Sequence, residues 1–212
     1  MCMATPAMAA PFAVQLGEVR LGLDAPPGFS DTLFTGSPRL AELAESLTSA
    51  SNRILLFAVS DADLRQFMTG EPPELRRYMI AVTPRGMEHG RVGAEQFTLY
   101  VSDSLRELGP PPAPAADYRR FLDEQPPRKA SLLAELRRSA ELVSILQGAR
   151  LPGTGGWGAK PKYLLSTTTL MWLRGKALSV SVYTGYDGSA DLEWIHFITG
   201  RWIQELQRLN SR

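Results

Sequence analysis

The chain has 212 residues, is 44% hydrophobic and 21% charged, and carries a formal net charge of +1. That is enough apolar material for a full core, and the near balance of charge excludes a bulk field able to hold nucleic acid or an anionic membrane surface. One cysteine (Cys2) and two histidines (His89 and His196) leave little from which to build a disulfide, a thiolate metal site or an imidazole relay, so no cofactor and no metal are expected.

Residues 1–9 read as the remnant of a signal peptide. Ala7 and Ala9 are the small residues that a signal peptidase needs three and one positions before a cut, and Ala10-Pro11 follows. No basic segment precedes them, so a longer leader is expected, with a periplasmic or secreted mature chain starting near Ala10. Cys2 would leave with that leader. No apolar run approaches the roughly 20 residues of a membrane helix, and a soluble protein without a membrane span is expected.

Residues 10–212 are expected to form a single α/β domain. Phe12, Val14 and Leu16 alternate, as do Val19, Leu21 and Leu23, with Gly17 between the two runs; this predicts a tight hairpin ended by Pro26-Pro27-Gly28. Ser37 and Pro38 punctuate the start of a helix with Leu40, Leu43, Ala44 and Leu47 as its stripe. The continuous apolar run Ile54 to Val59 suits a strand covered on both faces. Ser60-Asp61-Ala62-Asp63 resembles a capping box opening a helix through Met68. Tyr78 to Thr83 and Gln96 to Ser102 read as strands, and the breaker-rich segment from Pro84 to Gly90 between them reads as irregular.

The prolines of 109–114 predict an extended surface excursion. Leu133, Leu136, Ala140 and Val143 recur at three and four positions, which predicts an amphipathic helix over 131–147. Tyr163 to Leu173 and Ala177 to Thr184 predict a long hairpin around Arg174-Gly175. The last helix presents Leu192, Ile195, Thr199, Trp202, Leu206 and Leu209 on one side.

Little of this carries chemistry. Gly153 to Lys160 resembles a phosphate loop, but Ala159 breaks the spacing and Pro161 opens a strand rather than a helix. Glu193 and His196 have the spacing of one di-iron half-motif, and no second half exists. Asp61 and Asp63 lack the later glycine and glutamate of a calcium loop. His89 and Asp103 could join a serine in a triad, but no Gly-x-Ser-x-Gly elbow presents a nucleophile. A hydrolase using His89 with a nearby carboxylate is the enzymatic alternative.

Three surface features remain as candidate partner or ligand sites. The hairpin about Arg174-Gly175 puts Trp172, Leu170, Thr168 and Ser166 on one face with Ala177, Ser179, Ser181 and Tyr183, a hydroxyl-rich strip with an aromatic at each end. Trp194 and Phe197 project away from the apolar stripe of the last helix, and Trp157 lies in a glycine-rich loop that could cover them.

The segments Leu23-Asp24-Ala25-Pro26-Pro27-Gly28-Phe29 and Asp191-Leu-Glu-Trp194 through Gly200-Arg-Trp202 resemble the PsbP-like exported domains, an α-β-α sandwich family that includes the DcrB-type lipoproteins. Phe29 stands where many of those proteins carry tryptophan. The resemblance implies a mostly antiparallel sheet with helices packed on it, and a non-catalytic accessory or interaction role. It supplies no catalytic residues. The expected function is therefore that of an accessory protein of the bacterial cell envelope, binding an envelope protein by shape and contact.

Overall fold

The computed structural model describes residues 11–71, 73–113, 117–152 and 162–211. Its first two strands, β1 (Phe12–Leu16) and β2 (Val19–Leu23), pair antiparallel with Leu16 opposite Val19, as the alternation predicts. Gly17 makes the turn at a φ of +54°, and a Cβ there would meet the carbonyl oxygen of His89 at 2.4 Å. Glycine is required at that point for conformation and for space.

A seven-stranded sheet forms the centre. Its order is β3 (Phe29–Asp31), β4 (Asn52–Ser60), β5 (Arg77–Pro84), β9 (Lys176–Gly185), β8 (Lys162–Leu173), β7 (Leu142–Leu151), β6 (Ser131–Ser139). All six pairings are antiparallel. Strands from before and after the proline-rich segment meet where β5 pairs β9, with Tyr78 opposite Tyr183.

Helices cover both faces. On one, α5 (Ser189–Leu209) lays Ile195, Ile198, Trp202, Ile203 and Leu206 over Met79, Met171, Leu178, Val180 and Val182. The β1–β2 hairpin and Leu122 of α4 (Tyr118–Asp123) join the same core. Thr167 and Thr199, both buried there, satisfy each other through hydroxyls 2.6 Å apart. On the opposite face, α1 (Pro38–Ser46) sets Ala44 over Phe57, Ile80 and Val82, while α3 (Ala94–Leu105) sets Phe97 and Val101 over Val143, Ile145, Leu170 and Ala177. The helix α2 (Asp61–Met68) starts as predicted: the Ser60 hydroxyl accepts the Asp63 N–H at 3.1 Å.

Two predicted elements change type. Residues 131–147 are not a helix but the hairpin β6–β7, turning between Ser139 and Leu142. The cause is visible in its register, which shifts between Leu132 and Ala134 and again between Glu135 and Arg137. Each bulge inserts a residue, so a period of two reads locally as three, and Leu133 and Leu136 mimic a helical repeat. Residues 96–102 are helical, within α3, despite their aromatic and β-branched content. Phe97 and Val101, four apart, are buried, and Leu99 between them is 64% exposed. Packing onto β7 and β8 overrides strand propensity there. Arg85–Met87, expected to be irregular, forms one short 3-10 turn.

Candidate functional site

The segment from Asp24 to Ser30 leaves β2, runs into the start of β3 and is tied down along its length. The Trp202 indole N–H donates to the Asp24 carbonyl at 2.8 Å. The Phe29 N–H closes a turn onto the Pro26 carbonyl at 3.1 Å, with Gly28 at a φ of +89°. The Asp61 N–H then donates to the Gly28 carbonyl at 3.0 Å, and the Ser30 hydroxyl donates to Asp61 Oδ1 at 2.8 Å. Ala25 and Phe29 are buried in the main core. Such a loop is a fixed wall.

Facing that wall, α5 presents Arg201, Gln204, Glu205 and Arg208, and a cleft of about 640 Å³ lies between them. Ala25, Pro26, Phe29 and Trp202 contribute its buried, largely apolar floor, while Asp24, Asp61, Arg201 and Gln204 stand on the rim. Burial raises the pKa of the Asp24 carboxyl, and the neighbouring Glu205 charge adds to the rise. Arg208 is occupied by Glu205 through hydrogen bonds of 2.9 and 2.5 Å. The ion pairs among the described residues do not include Arg201.

Phe197 stands one turn before Arg201, 62% exposed, with the Arg201 guanidinium 5.7 Å from its ring centre. Phe197, Arg201, Gln204 and Arg208 follow one another at four, three and four, so they form a single outward stripe. Trp194 is not open in the same way. Its ring lies 6.1 Å from that of Phe29, and the Arg77 guanidinium covers it at 4.1 Å. Arg77 reaches Asp191 at 3.4 Å, and Asp191 also accepts the Asp187 N–H at 2.8 Å, which fixes the start of α5.

The remaining sequence candidates lie apart from this cleft. Trp172 packs beneath α3, its ring 6.2 Å from Phe97 and its indole N–H donating to the Val92 carbonyl at 3.0 Å. Tyr183 stacks on Tyr78 at 4.5 Å, in the core under α1, and burial raises the pKa of both phenols. The hydroxyl-rich strand face is thus covered at both ends. Trp157 and the loop from Gly153 to Lys160 lie outside the described residues.

His89 is exposed in the loop before α3, and His196 is exposed on α5. The ion pairs among the described residues include neither histidine. Asp103 is bonded to Arg106 instead. Asp63 spends its carboxylate on Ser60 and on the N–H groups of Glu74 and Leu75 at 3.0 and 3.3 Å. Among the described residues no group of three or more His, Cys, Asp or Glu side chains could hold a metal ion.

No family model matches the chain, and no curated protein matches it. Two solved structures do: the Saccharomyces cerevisiae Ran-binding protein Mog1p, at 13% identity and a TM-score of 0.42 over 94% of each chain, and a mutant of protein Mog1, at 13% identity and a TM-score of 0.42 over 95% of each chain. Both are Mog1 proteins and no PsbP-like or DcrB-like structure is among the matches, so the resemblance read from the sequence is corrected accordingly. Its two carrier segments have local explanations. Asp24 to Phe29 meets Trp202 because the indole needs an acceptor, and Asp191 is retained by Arg76, Arg77 and the Asp187 N–H.

Proposed function

We propose that the protein acts by contact rather than catalysis, and that another protein seats on the outer stripe of α5 and in the cleft under the Asp24–Ser30 loop. The observation that carries this reading is Phe197, a large apolar side chain left 62% exposed one helical turn from Arg201, which lines the preformed cleft. An exposed aromatic beside a rigid, partly apolar concavity is the composition of an interface hot spot. The fitting occupant is a segment with an apolar anchor for the floor made by Ala25, Phe29 and Trp202. The wall does not have to reorganise to receive it, which keeps the ordering cost low.

The experiment is site-specific photocrosslinking in cells, with a photoreactive phenylalanine at position 197 and, as a control, at the equally apolar and exposed Leu99 on α3. The reading expects one discrete crosslinked protein from position 197 and none of it from position 99. The same product from both positions, or none from 197, contradicts it. The extracytoplasmic address is part of the proposal and rests on Ala7-Met8-Ala9, outside the described residues. N-terminal sequencing of the protein purified from its host tests it, a start near Ala10 being the supporting result.

A further inference from the structure

A second cleft, on the side of the molecule where three turns meet, has a different character. It is lined by Arg91, Glu141, Trp172, Arg174 and Gly175 and has a volume of about 390 Å³. Its walls are cross-tied. The Val92 N–H donates to the Gly175 carbonyl at 2.8 Å, the Trp172 N–H to the Glu141 carbonyl at 2.8 Å, and the Trp172 indole to the Val92 carbonyl at 3.0 Å. Beneath them, the buried Lys176 ammonium holds the carbonyls of Glu88, His89 and Gly90 at 2.9, 3.2 and 2.6 Å.

Two guanidiniums stand at this cleft, and the ion pairs among the described residues include neither Arg91 nor Arg174. Arg174 adopts a φ of +52° and Gly175 one of +77° in the two-residue turn between β8 and β9. That turn type favours Asn, Asp or Gly at its first position, and an arginine there is strained. The strained residue nevertheless orients its side chain, donating to the Arg20 carbonyl at 3.1 Å. The Arg91 side chain lies close over Gly175 of the same turn. A fixed aromatic and two arginines without carboxylate partners are suited to an oxyanion attached to a flat or apolar group. Glu141 is the opposing charge at the same rim.

We infer that this cleft binds a phosphate monoester, its oxygens on Arg91 and Arg174 and its organic group against Trp172. The test is a titration of phenyl phosphate and, separately, inorganic phosphate, read from the Trp172 indole N–H resonance of the full chain. A saturable shift is expected with both, tighter for phenyl phosphate. Arg174→Gly suits the turn conformation, so it removes the guanidinium and its exposed bond to the Arg20 carbonyl while leaving the turn in place. Arg174→Gly and Arg91→Gln should each weaken phenyl phosphate by roughly tenfold or more, while Glu141→Gln should tighten it by relieving like charge. Unchanged affinity in both arginine variants overturns the site, as does a shift that does not saturate. Equal affinity for the two probes overturns the contact with Trp172, and a weaker Glu141→Gln complex overturns the electrostatic account.

Discussion

The ammonium of Lys176, 1% exposed, donates a 2.6 Å hydrogen bond to the carbonyl oxygen of Gly90, 86 residues earlier in the chain. With the Glu88 and His89 carbonyls as its other acceptors, this one side chain staples the loop before α3 to the β8–β9 turn. Lysine is almost never so deeply buried unless paired. Here three carbonyl oxygens replace the water it has lost. Replacing Lys176 with Met should cost about 2–3 kcal/mol, because charge-assisted hydrogen bonds disappear and their acceptors are left without a donor. Chemical denaturation measures the loss, and hydrogen exchange should show the amide of Val92 opening first. An unchanged denaturation midpoint would contradict the stapling role.

The cleft wall depends on Trp202. Trp202→Ala should cost about 3–5 kcal/mol through the cavity it leaves. Trp202→Phe retains most of the apolar contact but frees the Asp24 carbonyl, and should cost about 1 kcal/mol. If the wall is held as described, Trp202→Phe also weakens partner binding, since the loop loses an anchor next to the cleft. Thermal melting and binding measured on the same variant separate the two effects.

Half-buried Asp31 and buried Asp191 titrate with opposite signs. Asp31 accepts the Leu33 and Phe57 N–H groups on Oδ1, while its buried Oδ2 has no partner, and burial raises its pKa. The folded state therefore favours the neutral acid, so its stabilising contribution is present below the ordinary aspartate pKa, about 4, and is lost as pH rises through the raised value. Asp191 is the reverse. Burial opposes its ionisation, but the Asp187 N–H and the guanidiniums of Arg76 and Arg77 prevail and hold its pKa down. Its contribution is present above about pH 4 and is lost as pH falls through the lowered value. Comparing Asp31→Asn and Asp191→Asn with the wild type across pH 2–7 should give stability differences of opposite slope. Parallel slopes would refute the assignment.

Arg174→Gly should raise stability by roughly 0.5–1 kcal/mol, because glycine accepts the positive φ without the Cβ penalty. The exposed hydrogen bond to the Arg20 carbonyl offsets part of the gain. A variant that is less stable than the wild type would mean that this bond outweighs the backbone strain.

Much of the architecture is legible in the sequence because the forces involved are local. The hairpins around Gly17 and Arg174-Gly175, the Ser60 cap and the stripe of α5 each announce themselves within a few residues. The helix expected over 131–147 fails because two bulges reset the alternation of β6. The strand expected over 96–102 fails because α3 is helical only by virtue of the sheet beneath it. Phe197 is legible as a side chain on the wrong side of its helix, but the cleft beside it is not. The Asp24 loop meets Trp202 across 178 residues of sequence, and Lys176 finds its acceptors at similarly nonlocal distances. No pattern within a short window encodes such contacts.

The central claim is that Phe197 and the adjoining cleft form a binding site, and the affinity of the partner captured through position 197 tests it most directly. That affinity is measured for the wild type, Phe197→Ala and Leu99→Ala, all verified as folded. The account predicts a loss of roughly tenfold or more for Phe197→Ala, the effect of truncating a hot-spot aromatic, and no change for Leu99→Ala. Equal affinities for Phe197→Ala and the wild type would contradict it.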